Sequence, residues 1–305
     1  MLRYVLKRLV FSLFVLFGVL VAVFGISSAI GNPARLMLPV EASEADVAAL
    51  SARLGLDDPI HVRFARTAAD WLRGDFGDSL WQSAPALEIS LQRVPATLLL
   101  TAVTLAVALP LAVALGVFSA RRPGSTLDRG ITTVSLAGVS IADFWLGLML
   151  ILGFAIHLRW FPTSGYGGAA YLVLPALTLM MRPMGRVAQV ARSALIDEMG
   201  KQYPVTARAK GLPETAIVYR HGLRNSAIAV VTVAGAEAVS LLNGAVVVET
   251  VFGWPGIGSL FIGAIQQRDL PLIQSTVVVV AVLVIVVNLL VDLSYAAIDP
   301  RVRRQ

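Results

Sequence analysis

The chain has no cysteine, only three histidines and few charges. The first absence removes disulfides, thiolate catalysis, Cys-ligated zinc and iron–sulfur clusters together. The histidines, His61, His157 and His221, are scattered and give no metal-ligand spacing. Asp, Glu, Lys and Arg make up 14% of the 305 residues, against 57% apolar, and mean hydropathy is +0.77. A soluble protein needs more charge to cover its surface. The apolar residues also stand in blocks too long for ordinary core helices, so the pattern is that of an all-α protein crossing a membrane several times. No GxxxxGK[ST] phosphate loop occurs; GWPGIG at 253–258 is a turn rich in Gly and Pro. The formal net charge of +6 reports orientation in a membrane before it suggests any nucleic-acid partner, and none is expected.

A spanning helix needs about 20 predominantly apolar residues. Six stretches qualify, at about 9–30, 96–119, 131–156, 171–191, 226–251 and 275–298. The first follows Arg3, Lys7 and Arg8 and is too long for a signal-peptide core, so it reads as an uncleaved anchor. The fourth is interrupted by Arg182-Pro183-Met184-Gly185-Arg186, which makes it the least regular. With the N-terminus inside, the inner segments collect Arg3, Lys7, Arg8, Arg121, Arg122, Arg129, Arg192, Lys201, Arg208, Lys210, Arg220, Arg224, Arg301, Arg303 and Arg304. The short outer loops keep only Arg159 and Arg268. Both termini are therefore expected in the cytoplasm, with the protein multi-pass in the membrane. Three regions follow: the N-terminal end and first span (1–30), an extracytoplasmic helical loop (31–95) and a transmembrane core (96–305). No site can be built from His157 and His221, which fall on opposite faces, so no catalytic residue and no metal site is expected.

Two polar segments carry helical signals. In the 31–95 loop, Ser43 with Asp46 reads as the cap of a helix over 44–54 stopped by Gly55. Asp58-Pro59 opens a second helix, with Ile60, Phe64, Trp71 and Leu72 on one face and Gly74 at its end. That apolar stripe suits a small helical cap on the outer membrane surface; a solvated tether is the alternative. The inner 192–225 segment, RSALIDEMGKQYPVTARAKGLPETAIVYRHGLRN, holds a short cationic helix at 205–210 that Gly211 ends, followed by a helix opened by Pro213 and Glu214. Docking to another protein and lying against anionic lipid are both open on composition.

TARAKGLPE…RHGLRNSAI, at 206–228, resembles the EAA-type cytoplasmic loop of binding-protein-dependent ABC importer permeases. The likeness is closest to the "B"-type subunit of the peptide/nickel class and covers nearly the whole chain. LGLDDPIHVRFARTAADWLRGDFGDSL (54–80) and RVPATLLLTAV (93–103) are similar to its outer loop and second-helix entry. SIADFWLGLMLIL (140–152), FPTSG (161–165) and LPALTL (174–179) resemble its middle spans. GAVVVETVFGWPGIG (244–258) and NLLVDLSYAAIDPRVR (288–303) resemble its last two spans and tail. The sequence departs from that pattern at Pro204-Val205, Ala142 and Ala229.

The resemblance implies the type I ABC importer permease fold and no cofactor on this subunit, ATP and Mg being held by two cytoplasmic ATPase partners. A second, similar permease subunit would complete the pathway, and an extracytoplasmic binding protein would deliver di- or oligopeptides or related polar solutes. The coupling helix to the ATPases falls at about 203–214, on Tyr203, Thr206, Ala207, Arg208, Ala209, Lys210, Gly211, Leu212 and Glu214, with Ala207, Ala209 and Gly211 offering a small-residue contact side. Trp254 and Pro255 lie in the outer loop where a binding protein would dock; packing of that loop on the membrane surface is the alternative. Asp143, Arg182 and Glu237 fall near the middle of their spans. Charge there costs at least about 2.5–3.5 kcal/mol, so each should face a cavity or a partner. Either Asp143 and Glu237 line the passage and favour cationic cargo, or Arg182 pairs with a carboxylate to fix the helices. An ion-coupled transporter without ATPases would use the same acids, but would show inverted repeats, of which none is evident.

Overall fold

The computed structural model describes residues 2–29, 43–53 and 58–298. The loop stretch 30–42, the Gly55 stop and the tail arginines lie outside the described residues. In chain order the helices are α1 Leu2–Ala29, α2 Glu44–Arg53, α3 Ile60–Leu72, α4 Ala86–Ala120, α5 Thr126–Ser140 and α6 Asp143–Leu150. They continue with α7 Ala169–Met199, α8 Gln202–Ala209, α9 Glu214–Ala216, α10 Leu223–Val251, α11 Ile257–Gln266 and α12 Leu270–Ile298. Wider π-helical turns extend α6 over Ile151–His157 and join α9 to α10 over Ile217–Gly222.

Four stretches are long and apolar enough to cross a membrane: Val10–Ser28, Ala86–Ala120, Glu214–Val251 and Leu270–Ser294. The third expected span is not one helix. It divides into α5 and the α6 segment, which together are apolar enough but bend by 107°. Ile141 and Ala142 are both extended, with ψ 133°, and the chain re-enters a helix at Asp143. A carboxylate in a first turn opposes the partial positive charge of the free N–H groups, which favours restarting there. The fourth expected span is continuous instead: α7 runs 31 residues with Pro175 and Pro183 inside it, and its arginines keep it outside the apolar set.

The described residues fall into two compact units. The first takes 1–96 and 255–286. Its core gathers Phe24, Trp71, Phe76, Ile89, Leu260 and Leu272. Ser43 and Asp46 cap α2 reciprocally, each side chain accepting the other's backbone N–H at 3.2 Å. Ahead of α3, Pro59 takes the cap position and Asp58 pairs with Arg66 at 2.8 Å. Phe64 packs edge-on against Phe24, centroids 5.3 Å apart, and Trp71 stacks on Phe76 at 5.7 Å. Ile60 and Leu72, read onto the same face, are exposed; as the first and last residues of α3 they fall beyond its packed middle. Asp269 is fully buried. It accepts the Ser79 hydroxyl at 2.5 Å, the Trp81 N–H at 3.1 Å and, capping α12, the Leu272 N–H at 3.1 Å. On α1, Phe11, Leu13 and Phe14 point outward, an apolar surface that needs lipid or protein to cover it.

Within the described residues the second unit takes 97–254 and 287–298, and α7 is its axis. Met180, Met184, Val187, Ala188 and Ala191 of α7 pack on Ala108 and Ala112 of α4 and Val230 of α10. Glycines set the approach to α5: a Cβ on Gly185 would lie 2.5 Å from the Ser135 carbonyl, and one on Gly138 would lie 3.0 Å from that of Met181. At the other end of α5, Asp128 is buried and grips α7. Its carboxylate accepts Arg192 Nε at 2.6 Å and Nη2 at 2.8 Å, the Gly124 N–H at 2.7 Å and a short bond from the Ser119 hydroxyl. Arg192 first, then Ser119 and the Gly124 amide, hold this carboxyl well below the usual carboxylate range.

Gly185→Ala sets a methyl against a backbone oxygen that cannot rotate away. Overpacking of this kind costs about 1–3 kcal/mol, and the thermal midpoint of the purified protein should fall accordingly. Asp128→Asn should lower it too, with a defined pH signature. A depressed folded-state value means the carboxylate's contribution is complete above its unfolded value, about 3.9, and is lost as pH falls through the lowered one. The stability gap between wild type and Asp128→Asn should therefore stay constant from neutral pH to about 5 and close only in stronger acid. A gap that closes at pH 6 would contradict it.

Candidate functional site

Three helices of the second unit bring the mid-span charges together. Asp143 opens α6, Arg182 and Arg186 stand one turn apart on α7, and Glu237, Ser240 and Gly244 follow one face of α10. Asp143, Arg182, Pro183, Glu237, Ser240 and Gly244 line one cavity of about 10 Å³, room for roughly one water molecule. The three charges singled out in the sequence thus share a site. The expected pairing does not form as read: Glu237 is held by Arg186, Nη1 to Oε1 2.9 Å, and not by Arg182. Sequence spacing alone does not choose between them, because both lie on the same α7 face. Glu237 is only 3% exposed, and its pairing meets the requirement that buried charge be compensated. Asp143 and Arg182 make neither a hydrogen bond nor an ion pair among the described residues. A Cβ on Gly244 would come within 3.7 Å of Asp143 Oδ2, so the small residue keeps that carboxylate's surroundings open.

The polar segment after α7 is more compact than the 203–214 helix expected. α8 covers Gln202–Ala209 only, and Gly211 turns the chain with φ +77°. Nothing crowds a Cβ there; the constraint is the left-handed backbone, which glycine adopts without penalty. Leu212 and Pro213 are linker, and Glu214 begins α9. Arg208 closes the turn onto Glu214, Nε to Oε1 2.5 Å, and this contact raises the arginine and lowers the carboxyl. At the start of α8, Glu198 accepts Lys201 Nζ at 2.5 Å and the Tyr203 hydroxyl at 3.0 Å. The small-residue side is also corrected. Ala207 is buried with Pro204 against the chain itself, whereas Val205, Thr206, Arg208, Ala209 and Lys210 face outward.

Trp254 is not available as a docking contact. It is 1% exposed, meets Tyr166 edge-on at 4.8 Å and donates its backbone N–H to the Glu249 carbonyl at 2.8 Å. Pro255 is half-buried. Burial follows from the turn at Gly253, φ +59°, which folds the indole inward. Sequence reading missed the roles of Asp128, Arg192 and Arg186. Nor did it join Thr97 and Glu249, which lie in the 93–103 and 244–258 stretches, although Thr97 donates to the fully buried Glu249 at 2.6 Å. The available signal for Asp128 was its position three residues after Ser125, a helix-start spacing.

Comparison with known proteins adds to this geometry. Residues 112–304 match the family described as the binding-protein-dependent transport system inner membrane component. The chain is similar to the oligopeptide transport system permease protein AppB of Bacillus subtilis, 38% identical over 99% of both chains. It is similar to a probable peptide ABC transporter permease of Sinorhizobium fredii, 37% identical over 98% of this chain and 99% of the relative. A glutathione transport system permease of Salmonella paratyphi A is 40% identical over 99% of both. These relationships set aside the ion-coupled alternative. The chain belongs to the family of binding-protein-dependent transport system inner membrane components, and is a permease subunit of an ABC importer, not an enzyme.

Proposed function

We propose that this permease imports di- or oligopeptides or closely related polar solutes. Its six spans would be α1, α4, the bent α5–α6 pair, α7, α10 and α12, with both termini cytoplasmic and the 31–95 region outside the cell. The observation that carries the coupling part of the reading is α8. It is a short helix, sharply ended at Gly211, exposing Val205, Arg208, Ala209 and Lys210 between two long helices. A helix tied at its start by Glu198 and at its end by Arg208–Glu214 is stiff enough to pass a push into α7 and α10. Two cytoplasmic ATPase subunits would seat α8, and their closure on ATP and Mg would shift the spanning helices between inward- and outward-open packings. No cofactor is held by this subunit on that reading. A second, similar permease subunit would supply the other half of the passage, and a binding protein would deliver cargo from outside. Asp143, Arg182 and Glu237 would face the passage, since the three charges line one cavity between α6, α7 and α10. The peptide class is supported by the names of the relatives at 37–40% identity.

The chain has no cysteine, so single introduced thiols report contacts cleanly. Cysteine at Val205 or Ala209 should crosslink to an ATPase subunit in membranes holding the whole importer, with a yield that changes on adding ATP. Cysteine at the inward-facing Ala207 should crosslink weakly or not at all. Labelling of positions 205 and 209 only by lipid-phase reagents, with no ATPase adduct, would refute the coupling reading.

A further inference from the structure

The cavity between α6, α7 and α10 is lined by two carboxylates, Asp143 and Glu237, and one guanidinium, Arg182, and a second guanidinium, Arg186, reaches Glu237 from outside the lining, so the charges balance. One pair is closed, Arg186 on Glu237 at 2.9 Å. The other is open, since Asp143 and Arg182 both line the cavity yet neither bonds within the described chain. A closed pair holds helices together; opposite charges left apart across a cavity present a dipole to whatever enters it. The polar face of α7 continues past this point. Gln189, one turn beyond Arg186, has its amide nitrogen buried with no hydrogen-bond partner. On α10, Ser240 and Gly244 line the cavity beside Asp143 and Arg182, a hydroxyl and a residue without a side chain among Leu179, Pro183 and Leu241.

We infer that Asp143 and Arg182 form a charge-selecting subsite that favours zwitterionic cargo of zero net charge, with its carboxylate toward Arg182 and its ammonium toward Asp143. This rests on the reading that the cavity lies on the passage of a peptide permease. It differs from both sequence-based alternatives, a preference for cations and an Arg182–carboxylate pair, because Glu237 is already spent on Arg186 and Arg182 lines the same space as Asp143. In low-dielectric surroundings a neutral, dipolar wall matches a zwitterion, while a singly charged solute leaves one charge uncompensated. The cavity has room for about one water molecule in the described conformation, so a zwitterion enters between the two groups only as the three helices part during transport.

The test uses the complete importer in proteoliposomes with one binding protein throughout. Uptake is measured for dialanine, a lysine-containing dipeptide and a glutamate-containing dipeptide, each expressed relative to wild type so that selection by the binding protein cancels. Arg182→Gln leaves excess negative charge and should move preference toward the cationic peptide by about fivefold. Asp143→Asn should move it by a similar factor toward the anionic one. The double variant restores balance, and its ranking of the three should return to the wild-type order. Should either single variant fail to assemble, Ser240→Asp adds a carboxylate without removing a group, and must shift preference in the same direction as Arg182→Gln. Equal loss of all three peptides in every variant would show a structural role only and overturn the inference while leaving the peptide reading intact. Absence of uptake of any of the three by wild type would overturn both.

Discussion

A carboxylate buried among apolar helices must be compensated, and α7 supplies that compensation twice. It carries Arg182, Arg186 and Arg192 on a 31-residue helix. Arg186 is compensated by Glu237 and Arg192 by Asp128. The apolar face between them is buried against α4, α5 and α10 through small residues: Gly185 against Ser135, and Ala188 and Ala191 against Gly116. Close backbone approach replaces the hydrophobic drive that is missing among lipid tails. Ion pairs and glycine contacts therefore support each other, since neither arginine could reach its carboxylate if the helices stood farther apart.

The same helix leads directly to the turn before α8. Glu198, in its last turn, takes both Lys201 and Tyr203, and Gly200 separates α7 from α8. Burial of Pro204 and Ala207 seats α8 against its own chain, so the face left for a partner is the one with Val205, Ala209 and the basic residues. On the proposed reading, displacement of α8 would be felt along α7 at the Asp128–Arg192 grip and then at the charged cavity. Wider turns at Ile151–His157 and Ile217–Gly222 mark where α6 and α10 depart from regular winding, as often happens near functional segments.

In the first unit, buried polar groups perform a different task. Asp269 joins the 79–81 turn to the start of α12 through three hydrogen bonds, and Ser275 bridges Ala86 and Ser90. These bonds satisfy helix ends and turns that water cannot reach, the condition under which irregular backbone survives in an apolar setting. Aromatic packing of Phe24, Phe64, Trp71 and Phe76 then fixes α3 over α1.

What the sequence by itself determined was set by local chemistry and long apolar runs. The all-helical membrane class, the Ser43–Asp46 cap, the stop at Gly211 and the family's cytoplasmic motif were legible because each depends on residues close in the chain. Tertiary structure decided the rest. The bend before Asp143 has no proline to announce it, since Ala142 stands at the break, and it shows only in two extended residues. Arg182 and Arg186 share a helix face, so the choice of Arg186 as partner for Glu237 depended on how α7 and α10 cross. Ala207 reads as a contact residue and Trp254 as either a docking or a packing residue, yet a turn at Gly253 and the docking of α8 on its own chain bury both. Asp128 and Arg192 lie 64 residues apart, and no local signal joins them. Composition and spacing specify which groups must be compensated; only the packed helices specify by which partner, and which pair is left open.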